Sequence, residues 1–289
     1  MEMIGKWNRI LLEARSNRIR PALDDKSLTS WNSMMISGLV KAYRALGDPG
    51  YLDMALSCAQ VIRNKLWSGD QVLYRSYKDG NRTIPGFHID YALYTEACLD
   101  LYESSLDQGW LELATELTGV TVDRFYDEGS GLFRYNAADT EVLITHRMEI
   151  QDHVIPSSNS VMAHNLFRLG HLLTNGEYLD ICSAMVGRLA QRIVQYPNSY
   201  AGLGRLLIKH QQPYYEVAVV GPEAAEIIRR LSAAYIPQVV LAGTTGESDL
   251  PLFRDRYQKD KTYIFVCSNN VCQLPVEDPE DAEAIYHHQ

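Results

Sequence analysis

No apolar run in this 289-residue chain approaches the roughly 20 residues needed to cross a bilayer, and the opening MEMIGKWNRI lacks the apolar core of a signal peptide. A membrane span is excluded and a soluble protein is expected. Cysteine is scarce: Cys58, Cys98, Cys182, Cys267 and Cys272 are odd in number and scattered. That usage fits a reducing compartment, the cytoplasm by default, better than a disulfide framework. Cys267 and Cys272 have neither Cys-x-x-Cys spacing nor a second pair, so no metal site is expected and both are read as structural thiols. Positive charge is in deficit, 27 Lys+Arg against 36 Asp+Glu for a formal charge of −9, without a basic patch. Nucleic acid is therefore excluded as a partner. Neither GxxxxGK[ST] nor GxGxxG occurs, so Gly221 in GPEAAE reads as a turn opening a helix, and no cofactor is implied.

What is present is an apolar content of 46%, enough for a substantial core, and an internal repeat. The segments DPGYLDMA, DQGWLELA and NGEYLDIC align without gaps on Tyr51, Trp110 and Tyr178. Nineteen residues before each stand Asn32, Tyr91 and Asn159, beside the polar runs TSWN, HIDY and PSSN. The repeat predicts three antiparallel helical hairpins, the first two followed by short extended returns at VLYRSY and GLFRYN.

Met3 to Ile19 reads as one helix ended by RPALDD, and the first hairpin as starting at the N-caps Thr29 or Ser30 with a buried stripe Met35, Leu39, Ala42 and Leu46. Its second helix carries Leu52, Ala55, Ala59, Ile62 and Leu66 inward. The other hairpins are expected from about Asp90 to Leu106 with Gly109 to Phe125, and from about Ser157 to Leu173 with Gly176 to Val194; a short helix follows Ser199. EVLITHRMEIQDHVIP reads as a strand and a loop leading back to an inner helix. After Pro213 the pattern changes to strand, helix, strand and strand at EVAVVG, PEAAEIIRRLSAAY, QVVLAG and TYIFVCS. The expected organisation is a mainly α chain of α/α toroid-type hairpins over 1–212, a small βαβ-like α/β appendage over 213–275, and a solvated acidic tail over 276–289. Hairpins that stand side by side and curve put all inner-helix starts on one rim, so the loops before Trp31, Asp90 and Asn159 are expected to converge.

LDDKSLTSWN, GFHIDYA, RMEIQDHVIPSSNSV and CSNNVCQLP together resemble the C-terminal portion of the thioredoxin-domain-containing family that includes the spermatogenesis-associated member. The resemblance runs nearly end to end. It implies a six-hairpin glycosidase-like toroid, similar to the N-acylglucosamine 2-epimerases, preceded by a thioredoxin-like domain. Only about three and a half hairpins are expected here, and no thioredoxin-like domain, so uncovered apolar edges are expected, with that domain or the remaining toroid segment as partner. The family's acidic residue before the Asp near Phe87 is replaced by Ile89, and small residues near Asp152 by His153 and Val154.

The candidate catalytic residues are the carboxylates Asp25, Asp90 and Asp152, expected in one solvent-accessible cleft with at least one pKa raised, and the loop histidines His88 and His153 as a proton donor and acceptor. Asp24, Lys26, Trp31, Asn32, Tyr91, Arg147, Ser157 and Asn159 are the candidate substrate-binding residues. Each has a structural reading beside the functional one. Asp90 is a helix cap, Asp24–Asp25–Lys26 a loop-bracing ion pair, Phe87 and Tyr91 core aromatics, and the asparagines loop braces. The ligand class is a sugar or other small molecule, with epimerisation or glycoside hydrolysis as the reaction; the alternative is a non-catalytic scaffold.

Overall fold

A computed structural model describes residues 2–139, 147–268 and 271–287. The repeated turn motif has a direct cause. α2 (Thr29–Leu46) ends on Gly47 in the left-handed region, and Asp48 then caps α3 (Pro49–Lys65) by accepting from Gly50 N at 2.9 Å. α4 (His88–Ser105) ends likewise at Leu106, and Asp107 caps α5 (Gln108–Phe125); α6 (Ser158–Leu173) ends at Thr174, and Asn175 caps α7 (Gly176–Gln195). A left-handed residue followed by an Asx cap reverses the chain each time, leaving the following aromatic in the new helix's first turns.

α1 (Glu2–Ser16) precedes these hairpins and is exposed along its whole length, with Met3, Ile4, Trp7, Ile10 and Leu11 uncovered. The returns form two small sheets. β1 (Ser27–Leu28), β2 (Tyr74–Lys78) and β3 (Asn81–Pro85) make one, and β4 (Tyr126–Asp127) with β5 (Leu132–Phe133) the other. The strand expected in EVLITHRMEIQDHVIP falls largely on 140–146, outside the described residues; the described part, from Arg147 on, is loop.

The first helices of the hairpins, with α8 (Ala201–Gln211), stand in a row α2–α4–α6–α8, and α3, α5 and α7 back onto them. This two-layered arc is the α/α-hairpin architecture expected from the repeat. α4 sits in its middle and is buried nearly all round, which explains why Ile89, Tyr91, Leu93, Tyr94, Ala97, Leu99, Leu101 and Tyr102 all fall in the core. In α2 the predicted stripe is displaced. Thr29, Ser33, Ile36, Ser37 and Val40 face inward, while Met35 and Leu46 are exposed. The reason is position: α2 packs mainly on α3 and α4, with lighter contacts to β1, β2 and the helix Ala224–Ser232, so Met35 shares with Trp31 an open edge.

β6 (Tyr215–Val220), α9 (Ala224–Ser232) and β7 (Val239–Thr244) form a parallel βαβ unit; β8 (Tyr263–Ser268) and β9 (Val271–Cys272) extend the sheet to the order β7-β6-β8-β9. Every residue of β6 is buried, because Val217 and Val219 pack under α9 while Ala218 and Val220 join the helical core. The acidic C-terminal segment is not a solvated tail: α10 (Pro279–His287) seats Ala282 and Tyr286 against this second cluster. Cys267 and Cys272 are opposite each other on β8 and β9 and joined as a disulfide, which corrects the expectation of free thiols. Cys58, Cys98 and Cys182 are free.

Candidate functional site

The inner-helix starts do gather at one end of the row, and side chains tie them together. Asp90, in the first turn of α4, accepts from Phe87 N at 3.0 Å and from Ser30 N, at the start of α2, at 3.2 Å; Arg75 adds an ion pair at 3.1 Å. Asp152 repeats the device one hairpin on, accepting from Ser157 N at 2.9 Å and from Gly202 N, at the start of α8, at 2.8 Å. Each carboxylate thus satisfies backbone donors of two different helices that would otherwise be orphaned. Asn159 accepts from Phe133 N at 2.8 Å and donates to Phe133 O and Glu149 O, both at 2.9 Å, and Ser157 caps α6.

These placements correct several functional expectations. Asp90 is fully buried, so it does not line an open cleft; its carboxyl is held above the ordinary value by burial, against the pull of Arg75. His88 is no surface proton shuttle. It is sealed between Phe125 and Phe133, neither ring nitrogen has a hydrogen-bond partner among the described residues, and burial pushes it down to about 3. Tyr91 is also core, its hydroxyl accepting from Leu73 N at 2.9 Å, and buried Asn159 is a brace. The shared reason is that the first turn of the central helix α4 and that of α6 are covered by the β-returns.

Other candidates lie at the surface. Asp25 pairs with Lys78 at 2.5 Å, which holds its carboxyl below the ordinary value, and Asp24 pairs with Lys26 at 3.4 Å. Trp31 is 66% exposed on the open edge of α2, and Asn32 donates to Leu28 O at 2.7 Å. His153 is exposed, and Arg147 lies over the Tyr135 ring at 5.7 Å.

A different set of residues meets on the inner face of the row. A groove of about 220 Å³ is lined by Lys41 and Arg44 of α2, Glu96, Asp100 and Glu103 of α4, His164 and Arg168 of α6, and Arg205 and Lys209 of α8; Tyr214 and Ile236, Pro237 and Val239 of the α/β unit line it too. Arg168 reaches Asp100 at 2.9 Å and Glu103 at 2.6 Å, and Arg44 reaches Glu103 at 3.3 Å. Deeper in, His171 Nδ1 meets Glu216 at 2.5 Å.

The network separates two neighbouring carboxyls. Burial works against ionisation of Asp100, but Arg168, Lys41 and Arg44 outweigh it and hold the group below its ordinary value. Glu96, one turn earlier, is pushed up by burial and by Asp100 itself. Among the described residues no cation lies within ion-pair distance of Glu96, and Lys41, Arg205 and Lys209 make no ion pair. Burial, with Arg168 and Arg205 nearby, lowers Lys209 to about 8, and burial takes His164 to about 3 although its Nε2 lies 2.9 Å from Gly202 O. A carboxyl that ionises less readily than usual, a neighbour that ionises more readily, and surplus cations can together bind an anion and move a proton. Among the described residues no group of three or more His, Cys, Asp or Glu side chains is arranged to hold a metal ion.

The repeat could have revealed this groove. Five, nine and twelve residues after Asn32, Tyr91 and Asn159 stand Ser37, Glu96 and His164; Lys41, Asp100 and Arg168; and Arg44, Glu103 and His171. Equivalent rungs carry complementary charges along α2, α4 and α6. Aligning only the helix starts overlooks them.

Arc and groove define the class: an α/α-toroid-type helical protein with a small α/β unit. No family model matches the chain. It is 28% identical over 298 residues to human spermatogenesis-associated protein 20, covering 96% of this chain and 38% of that protein, and 28% identical over 299 residues to the uncharacterized protein B0495.5 of Caenorhabditis elegans, covering 98% and 41%. The chain thus spans about two fifths of the length of the curated relatives it matches, consistent with the C-terminal part that its motifs resemble. Among solved structures it is similar to the GH76 α-mannanase BT2949 of Bacteroides thetaiotaomicron (TM-score 0.47, 18% identity, 59% of this chain and 47% of that one). It is also similar to a cellobiose 2-epimerase from Bacillus thermoamylovorans (0.46, 10%, 58% and 46%) and to a D-mannose isomerase (0.46, 16%, 58% and 42%).

Proposed function

We propose that the inner groove binds a carbohydrate bearing an anionic group, and that Glu96 transfers a proton there in an isomerisation or epimerisation. The observation that carries this reading is the split carboxyl pair beside unpaired cations: Glu96 raised, Asp100 lowered, with Lys41, Arg205 and Lys209 facing the same space. A row of carboxylates and guanidiniums gives bidentate partners for sugar hydroxyls, and the surplus cations suit a phosphate or carboxylate. Hydrolysis of a glycoside needs two carboxyls on opposite sides of the scissile bond. Glu96 and Asp100 occupy successive turns of one helix and approach a ligand from one side, which favours proton transfer beside a carbonyl.

The test is calorimetric titration with glucose 6-phosphate, glucuronate and glucose, together with exchange of the carbon-bound proton in D2O. Anionic sugars should bind more tightly than glucose, and Glu96→Gln should abolish exchange while retaining binding. Equal binding of all three, or none, would end this reading.

The scaffold reading is favoured by one separate observation, the uncovered face of α1 at Met3, Ile4, Trp7, Ile10 and Leu11. A thioredoxin-like domain that quenches or shifts Trp7 fluorescence on mixing would support it, and no change would count against it. A division into 1–212, 213–275 and 276–289 remains part of the proposal. So does a cytoplasmic compartment, supported by three free thiols, where the Cys267–Cys272 disulfide would be exposed to reduction; among the described residues no helix is long and apolar enough to cross a membrane.

A further inference from the structure

The Cys267–Cys272 disulfide joins directly paired residues of β8 and β9 at one edge of the sheet, with Cα atoms 3.9 Å apart. Arg256, from the segment between β7 and β8, lies against both sulfurs: Nη1 is 3.7 Å from Cys267 Sγ and Nη2 is 3.2 Å from Cys272 Sγ, while the guanidinium stacks over the Phe265 ring at 4.6 Å. Among the described residues no carboxylate pairs with it. A neutral disulfide gives a half-buried cation little return for its lost hydration, whereas a thiolate in the same place supplies the missing counter-charge. At the free thiols burial dominates: Arg63 only partly offsets it at Cys98, and Cys182 Sγ lies 3.8 Å from His210 Nε2. Burial pushes Cys182 up to about 12 and raises Cys58 and Cys98.

We propose that Cys267–Cys272 is a redox-active pair that exchanges with a dithiol reductant, with Arg256 stabilising the thiolate that leaves. Cys272 is the more exposed residue of the two, Cys267 being 2% exposed. A thiolate of the dithiol attacks Cys272 Sγ and forms a mixed disulfide; the Cys267–Cys272 bond breaks, and its electron pair departs on Cys267 Sγ beside Arg256. The second thiol of the reductant then loses its proton and attacks the reductant's own sulfur in the mixed disulfide. This closes the reductant's disulfide and releases Cys272. Two electrons pass from the dithiol to the cysteine pair, and the dithiol's two protons go to the cysteines or, where a thiolate persists, to solvent.

The test follows reduction of the full chain by dithiothreitol at pH 7, quenched with an alkylating agent and quantified peptide by peptide by mass spectrometry. Reduction of Cys267–Cys272 should be at least tenfold slower in Arg256→Gln than in the unaltered chain, with Arg256→Lys recovering part of the loss. Equal rates in the unaltered chain and Arg256→Gln overturn the proposal, as does recovery of both cysteines as free thiols after air oxidation. Should Arg256→Gln fail to fold, the reduced unaltered chain decides by itself. Its alkylation at Cys267 or Cys272 should have a midpoint at least one pH unit below the ordinary thiol value of about 8.5, and a midpoint at or above that value overturns the proposal.

Discussion

Replacing Asp90 by Ala tests whether the carboxylates at the helix starts are braces. The substitution removes the acceptor for Phe87 N at 3.0 Å and Ser30 N at 3.2 Å, and leaves Arg75 without its partner at 3.1 Å. Each lost cap costs about 1 kcal/mol, and orphaning a buried donor adds to that. Arg75 retains 25% exposure and can turn to water, so its share is discounted to well under 1 kcal/mol. The total is roughly 2–4 kcal/mol. Asp90→Asn should cost less, about 1–2 kcal/mol, because burial already favours the neutral carboxyl, which an amide resembles in charge and shape. Asp25→Ala, at an exposed ion pair, should change stability very little. Urea denaturation followed by helical circular dichroism at pH 7 measures all three. A shift below about 0.5 kcal/mol for Asp90→Ala, or an equal loss for Asp25→Ala, would refute the bracing argument.

Other consequences follow from buried groups and tight turns. His88 and His164 have folded pKa values of about 3, against about 6.5 unfolded, so their contribution to stability is present above pH 6.5 and lost as pH falls toward 3, at up to about 1.4 kcal/mol per pH unit each. Asp90 and Glu96, whose values are raised, act in the opposite sense: stability is gained as pH falls through their folded values. His88→Leu should remove the His88 share, narrowing the stability difference between pH 7 and pH 5 by roughly 2 kcal/mol in denaturation curves; an unchanged difference would show that His88 is not held neutral. Gly221 has φ 138°, and a Cβ there would lie 2.2 Å from the Lys261 carbonyl oxygen, so Gly221→Ala should lower the melting temperature of the α/β unit by several degrees. A fully stable variant would mean that this backbone crossing can relax.

Much of the fold was legible because the hairpins repeat a local code. DPGY, DQGW and NGEY each mark a chain reversal followed by an Asx cap, and local codes survive in sequence. The βαβ unit was equally plain from its unbroken apolar strands. What failed was long-range. Nothing local says that Met35 lies on an open edge, that the residues at 279–287 form a helix packed on the sheet, or that Cys267 and Cys272 pair across a hairpin. The rim of helix starts shows the same limit. Asp90 and Asp152 look like cleft carboxylates while their partners are unknown, and those partners prove to be backbone donors of neighbouring helices. The charged rungs of the groove were present in the repeat, but their meaning depends on α2, α4 and α6 standing in register, which only the packing supplies.

Titration calorimetry with glucose 6-phosphate on the unaltered chain, Lys209→Gln and Asp25→Asn tests the central claim, that the inner groove rather than the rim of helix starts is the ligand site. Saturable, salt-sensitive binding is expected, weakened at least tenfold by Lys209→Gln and unchanged by Asp25→Asn. Binding that survives Lys209→Gln and disappears in Asp25→Asn, or no binding by the unaltered chain, would contradict it.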